Sequence, residues 1–150
     1  MDIERLRKDL EHDEGVKYEI YLDHLGYKTH GIGHLCRETE PEFNMEVGEP
    51  VSAGRVQECF EQDLESVLYD CEKLYPNFFG LDEEVQLIIA NMMFNLGYPR
   101  MSKFKKMKQA VDDEQWEEAA AQMRDSLWYN QVRNRAERLA VRMELLAVPF

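Results

Sequence analysis

The sequence contains no run of 18 apolar residues, no basic and apolar leader, and only three cysteines in 150 positions. Without such a run, hydropathy gives no membrane-spanning helix, and membrane insertion is not expected. A start reading Met1-Asp2-Ile3-Glu4-Arg5 lacks the features of a signal peptide, so synthesis in the cytosol without a secretion signal is expected. Cys36, Cys59 and Cys71 are odd in number and show no CxxC or Cys/His spacing, which excludes a disulfide framework or a zinc motif read from sequence. If Cys59 and Cys71 share one helix, their Cα atoms lie about 18 Å apart, too far to bridge. Free, buried thiols are the expectation. Positive charge is also scarce, with 18 Lys and Arg against 30 Asp and Glu and a net charge of −12. The deficit is lopsided: residues 1–75 hold 19 acids and 8 bases, and residues 76–150 hold 11 and 10. Nucleic acid is excluded as a partner, because phosphate binding needs a basic footprint.

What is present is a foldable chain. Hydrophobic residues make up 44%, enough to set disorder aside. A chain of this size is one domain able to bury roughly two thirds of its unfolded surface. Neither repeats nor low-complexity linkers interrupt it. Ile3, Leu6 and Leu10 mark a short amphipathic helix, with Asp2 as N-cap and Gly15 as its end. Residues 17–34, rich in Tyr, Ile, Thr and Gly, predict a small antiparallel sheet. Residues 36–51 carry Pro41, Gly48 and Pro50 among five acids and predict a loop. Ser52 then caps a long helix to about Lys73, with Val56, Phe60, Leu64, Val67, Leu68 and Cys71 along one stripe. From Asp82 the segment VQLIIANMMFNLG is apolar on nearly every side, as a buried central helix requires. Shorter helices are predicted near 99–111, 113–124 and 133–147. The fold class is α+β, mainly α. A small lobe covers about 14–51 and a connecting helix about 52–74. A helical lobe takes about 75–150 together with the N-terminal helix 2–13, and a polymer would lie in a cleft between lobes.

Chemistry concentrates in EGVKYEIYLDHLGYKTHGIGHL, from Glu14 to Leu35. Glu14 closes the first helix, where the helix dipole disfavours negative charge. Asp23 follows nine residues on and Thr29 six after that. Two carboxylic acids and a hydroxyl able to hold water are what hydrolysis of a glycosidic bond requires. In so acidic a chain, that spacing alone describes a solvated acidic face better than a catalytic set. The surrounding residues decide the matter. Glu14-Gly15, Tyr21-x-Asp23 and Gly26-Tyr27-x-Thr29-x-Gly31-x-Gly33-His34 resemble the active-site segment of the phage-type (T4-like) lysozymes. The likeness continues in Phe60-x-Gln62-Asp63, in Asn91-Met92-x-Phe94-Asn95-Leu96-Gly97 and in Trp128-Tyr129-Asn130-Gln131-x-x-Asn134-Arg135-Ala136-x-Arg138. These blocks keep the family's order across about residues 10–140.

The resemblance implies a two-lobed, lysozyme-like fold and a muramidase that cleaves the β-1,4 bond between N-acetylmuramic acid and N-acetylglucosamine in bacterial peptidoglycan. Glu14 is then the general acid, and Asp23 with Thr29 places the attacking water. T4-like enzymes invert, which requires the two carboxyls to stand about 6.5–9.5 Å apart. Arg135 is implied as a support for Glu14. His34 and Asp63 are implied as a His–carboxylate pair; its stabilisation is present below the unfolded histidine pKa and lost as pH rises through the raised folded one. Leu35, Phe94 and Gln122 are implied saccharide contacts, although core packing accounts equally well for Phe94. His30 neighbours Thr29 on a strand and so faces the other way, in a structural or solvent-facing place. His12, His24, His30 and His34 form no HExxH or comparable set, and neither metal nor cofactor is expected. Gly31 and Gly33 lack the Lys-Ser/Thr of a phosphate loop and serve turns instead.

The chain departs from the family pattern in three places. The loop between Leu35 and Ser52 is shorter, so a short helix of the small lobe is expected to be missing. Met107 is apolar at a cleft-lining position that is polar in the best-known member, and Leu127 replaces a basic residue before Trp128. Net charge is strongly negative where such lysozymes are usually basic. The cationic run Arg100, Lys103, Lys105, Lys106 and Lys108 reads as a solvated helix face or as a local offset to repulsion. A monomer is expected, reaching the wall through a holin-type pore or on host lysis. A lysozyme-like wall-binding module without catalysis and a chitin-cleaving relative are the competing readings. Peptidoglycan is anionic, so long-range attraction should be absent and salt should screen repulsion. Turbidity assays on cell walls should show activity that holds or rises from low to physiological salt; a steep fall would contradict this.

Overall fold

The computed structural model describes residues 1–149. The chain divides into two compact units, Ile3–Ser66 and the residues from Val67 onward with Met1–Asp2. The fold is mainly α with one small antiparallel sheet.

The first unit begins with α1 (Ile3–Glu14), which buries Leu6 and Leu10 and leaves Ile3 exposed. The apolar stripe expected from sequence is therefore one residue shorter. The Gly15 N–H donates to the Glu11 carbonyl at 2.9 Å, and its φ of +75° stops the helix after Glu14. Where the sequence reading attached this helix to the later helical lobe, its residues from Ile3 group with the sheet. Three strands follow, β1 (Lys17–Leu22), β2 (Lys28–Gly31) and β3 (His34–Leu35), antiparallel in the order β1-β2-β3. Tyr21 lies opposite Thr29, Thr29 opposite Leu35, and His30 opposite His34. Cross-strand partners share a face and neighbours alternate, so Tyr21, Thr29 and Leu35 mark one face of the sheet and the two histidines the other.

Residues 36–51 are more ordered than a loop. Pro41–Asn44 form a 3-10 turn. Gly48, Glu49 and Val51 then hydrogen-bond along β1: Gly48 N to Ile20 O at 2.8 Å, Ile20 N to Glu49 O at 2.9 Å and Val51 N to Tyr18 O at 2.9 Å. Pro50, the reason to expect a loop, sits opposite Glu19 at the one position of this short ladder that donates nothing. Ile20, Cys36, Val51 and Val56 form the core beneath, with Met45 against it. Helix α2 (Ala53–Leu74) starts at Ser52, whose hydroxyl accepts the Arg55 N–H at 3.1 Å. Val56, Cys59, Phe60 and Leu64 are its buried residues in this unit. It passes into the second unit at Val67.

The second unit is built on α3 (Glu83–Leu96), buried without a break from Val85 to Met93. Asp82 caps it by accepting the Glu84 N–H at 2.9 Å. Gly97, at φ +76°, ends it. Five helices follow: α4 (Tyr98–Met101), α5 (Lys105–Asp112), α6 (Trp116–Arg124), α7 (Leu127–Gln131) and α8 (Arg133–Leu145). The helix expected over 99–111 is thus split at residues 102–104, and α7 was not foreseen. Five residues are too few to show a period. The buried Trp128 donates its indole N–H to Asn95 at 2.7 Å and meets Phe104 edge-on.

An ion cluster ties α6, α7 and α8 together. Arg124 donates to Glu137 at 2.8 and 3.0 Å and to Glu144 at 2.7 and 3.0 Å, and the Tyr129 hydroxyl donates to Glu137 at 2.7 Å. The Arg124 hydrogen bond, followed by that of Tyr129, holds the Glu137 carboxyl down at about 2. A carboxyl lowered on folding adds stability above its unfolded pKa, near 4.3, and loses it as pH falls through the folded value. Thermal midpoints measured from pH 6 to pH 2 should therefore fall less steeply in Glu137→Gln than in the wild type across that window. Parallel curves would show that the cluster adds nothing.

Candidate active site

Glu14, Asp23 and Thr29 all belong to the first unit. Glu14 is half-buried at the last position of α1, held by the stop at Gly15. Its side chain lies against the β2–β3 turn. A Cβ placed on Gly33 would stand 2.8 Å from Glu14 Oε1 and 3.2 Å from Glu14 Cβ. Gly33 also has φ +58°, so both the backbone and the carboxylate require glycine there. Gly31, at φ +63°, faces α2 in the same way, with Val56 Cγ1 at 2.9 Å from a built Cβ.

Asp23 opens the β1–β2 turn. Its Oδ1 accepts the Leu25 and Tyr27 N–H groups, both at 2.9 Å, while its own N–H donates to the Tyr27 carbonyl at 2.9 Å. The Thr29 hydroxyl donates to that same carbonyl at 3.0 Å. The backbone of Tyr27 is therefore the common anchor of Asp23 and Thr29. The consequence is chemical. With its proton committed, Thr29 offers only lone pairs, so a water beside it must donate a hydrogen to Thr29. A second hydrogen directed to Asp23 would leave the water oxygen's lone pair free for attack.

Tyr21, paired with Thr29, registers both acids. Burial raises the pKa of its hydroxyl first, and the charges of Glu14 and then Asp23 raise it further. One phenol thus feels both carboxylates. The family pattern includes Tyr21 without assigning it a role, and its register opposite Thr29 follows once the hairpin is placed.

The other face of the sheet carries His30 and His34. Their rings lie 5.0 Å apart between centroids. His34 Nδ1 is 2.6 Å from Asp63 of α2, and its Nε2 is 2.9 Å from Glu40. Burial alone would lower the His34 pKa, but the hydrogen bonds and charges of Asp63 and Glu40 outweigh it and the net shift is upward. Glu40 was absent from the sequence reading, because nothing in its local spacing connects it to His34. Arg55 closes the group by donating to Glu42, Glu40 and Glu58. His30 is wholly buried, and neither ring nitrogen has a hydrogen-bond partner. Burial, then His34, pushes its pKa down, so it is neutral.

Leu35 is exposed on β3. In the second unit Phe94 is half-buried on α3, and Gln122 of α6 donates to Glu118 at 2.7 Å. Arg135 of α8 is buried and donates to the Asn91 side chain at 2.9 Å and to its carbonyl at 3.3 Å. A groove of about 500 Å³ in this unit is lined by Gln122, Met107, Leu127 and Trp128 and flanked by Arg100, Lys103, Lys105 and Lys106. The basic run thus borders a concavity in its own unit. No helix of the described residues is long and apolar enough to cross a membrane.

Comparison with known proteins gives a consistent result. The phage lysozyme family model matches residues 11–143. The chain is 30% identical to "Probable T4-type lysozyme 2" of Dictyostelium discoideum, over 91% of this chain and 92% of that protein. It is 31% identical to the "Pre-baseplate central spike protein Gp5" of Enterobacteria phage T4, over 88% of this chain and 26% of the larger protein. It is 30% identical to the "Peptidoglycan hydrolase gp36" of Pseudomonas phage phiKMV, over 95% of this chain and 15% of that one.

The close fit of Gly33 to Glu14 has a direct test. Gly33→Ala should lower turnover about ten- to a hundredfold, since a small misplacement of a reacting group has that effect. Gly48→Ala is the control, with φ +92° and nothing within 4 Å of a built Cβ. It should lose only the roughly 1 kcal/mol of left-handed backbone strain, read by chemical denaturation, and keep its turnover. Equal turnover in the two variants would mean that Gly33 does not position Glu14.

Proposed function

The chain belongs to the phage lysozyme family and is a glycoside hydrolase of the muramidase type, and on that premise we propose that it is an endolysin hydrolysing the β-1,4 bond between N-acetylmuramic acid and N-acetylglucosamine with inversion. The observation that carries the reading is the anchoring of Asp23 and Thr29 on one residue, Tyr27, in the same unit that holds Glu14. Glu14 protonates the glycosidic oxygen as the bond breaks. Positive charge develops on the sugar ring, and the Asp23 carboxylate stabilises it while drawing a proton from water. Thr29 accepts the second hydrogen of that water and fixes its approach. Attack from the face opposite the leaving group converts the β bond into an α-configured reducing end.

The supporting roles belong to the same proposal. Leu35 in the first unit, and Phe94 and Gln122 in the second, contact saccharide, and Arg135, His34 and Asp63 are structural supports. The protein acts as a monomer that needs no cofactor for turnover. The enzyme is made in the host cytoplasm and reaches peptidoglycan through a holin-type pore or on lysis. Two features support this reading against a wall-binding module without catalysis. The acid, the base and the hydroxyl are all present, and the polar contacts of Asp23 and Thr29 are those a water-placing pair requires.

Purified peptidoglycan supplies the decisive assay, following turbidity and, by NMR, the anomer first released. Glu14→Gln and Asp23→Asn should each lower kcat by at least about a thousandfold without loss of the folded state. Thr29→Ser should retain activity, and Thr29→Val should not. An inactive wild type would favour the binding module. A β-configured first product would sink the water-placing role of Asp23 and Thr29.

A further inference from the structure

We propose that His30, His34, Cys59 and Glu40 form a closed structural site for a divalent zinc-like ion, on the face of the sheet opposite Thr29. One nitrogen from each histidine and the Cys59 sulfur lie within 4.8 Å of one another, and all three residues are buried. Glu40 completes the set: its carboxylate oxygens are 2.9 and 3.1 Å from His34 Nε2, and one is 3.8 Å from Cys59 Sγ. Around a tetrahedral zinc, Zn–N of about 2.0–2.1 Å and Zn–S of about 2.3 Å place neighbouring donors roughly 3.3–3.7 Å apart. The two histidine nitrogens and the Cys59 sulfur therefore need to draw together by about 1 Å to meet an ion.

Two independent observations point to an ion. The first is His30, fully buried with both ring nitrogens unpartnered. An unpartnered imidazole in a core costs stability that an aliphatic side chain at the same strand position would not. A metal bond removes that cost at one nitrogen. The second is the hydrogen bond that His34 Nδ1–H donates to Asp63 at 2.6 Å. A carboxylate on one imidazole nitrogen fixes the tautomer that leaves the other free for a metal, the usual outer-shell support of a ligating histidine. Here the other nitrogen is Nε2, which faces Glu40.

The donor set selects the ion. One thiolate, two neutral imidazoles and one carboxylate suit zinc rather than magnesium or calcium, which take oxygen donors. Thiolate and carboxylate together neutralise the two positive charges. On binding, the Cys59 thiol proton and the proton shared between His34 Nε2 and Glu40 are both released to solvent, and the His34–Glu40 hydrogen bond is replaced by two metal bonds. Arg55 gives up Glu40 and keeps its two hydrogen bonds to Glu42. All four donors come from the protein, leaving no open position, so the ion's role is to join β2, β3 and α2 rather than to activate water. This site stands apart from the hydrolytic reading and does not depend on it.

The test uses the full chain, treated with EDTA, dialysed, and titrated with zinc chloride alone. One equivalent should bind, and at a hundredfold excess over Kd the thermal midpoint should rise by roughly 5–10 °C. Cobalt(II) in its place should give the intense visible bands of a tetrahedral ion together with thiolate-to-metal charge transfer. His30→Leu should leave the metal-free protein at least as stable as the wild type and remove both responses. Cys59→Ala should remove the charge-transfer band. A wild type with neither midpoint shift nor cobalt bands would overturn the proposal. So would responses that persist undiminished in His30→Leu, which would place the ion on surface carboxylates.

Discussion

The close approach at the β2–β3 turn is the constraint on which the first unit depends. Gly31 and Gly33 both have left-handed φ values, and neither has room for a Cβ, one because of Val56 and the other because of Glu14. A turn with side chains at these positions would push α2 from one side and the end of α1 from the other. The two glycines therefore do more than permit a bend. They let a helix and a carboxylate meet the same few residues of backbone, and so fix where Glu14 stands relative to the strand that carries Thr29.

Strand β2 then divides the unit chemically. Alternation along four residues sends Thr29 to one face and His30 to the other. On the first face, the buried Thr29 is held, together with Asp23, by the backbone of Tyr27. On the second, Glu40, Asp63 and Arg55 surround two histidines and a thiol out of contact with solvent. A shift of one residue in this register would exchange the faces and destroy both arrangements. The second unit works differently: α3 is buried on nearly every side, and its neighbours are secured by caps and the Arg124 cluster.

Much of this was legible in the sequence where a local rule operates. The stop at Gly15, the cap at Ser52 and the nearly continuous apolar surface of α3 each follow from a few adjacent residues. Glu14, Asp23 and Thr29 were legible through the family pattern, whereas their spacing alone was ambiguous among 30 acids. What escaped reading is non-local or made of backbone. Pro50 argued for a loop, yet residues 48–51 pair with β1, because only the neighbours' hydrogen bonds are required there. The Tyr27 anchor consists of an N–H and a carbonyl, which every residue except proline possesses. Cys59 and His30 are separated by β3, residues 36–52 and nearly two turns of α2, and no ligand motif spans such a gap.

The three buried, unpaired thiols make the molecule its own reporter of local opening. Cys59 and Cys71 have no exposed surface and Cys36 very little. Burial raises all three thiols, to about 11 for Cys36 and about 12 for Cys59 and Cys71, so even transient contact with solvent finds few thiolates in the closed state. Modification by a thiol reagent thus waits on separation of the surrounding side chains. Cys36 and Cys59 lie in the first unit and Cys71 in the second. The order in which reagent reaches them is a clock, written into the native sequence, for which part of the chain opens first.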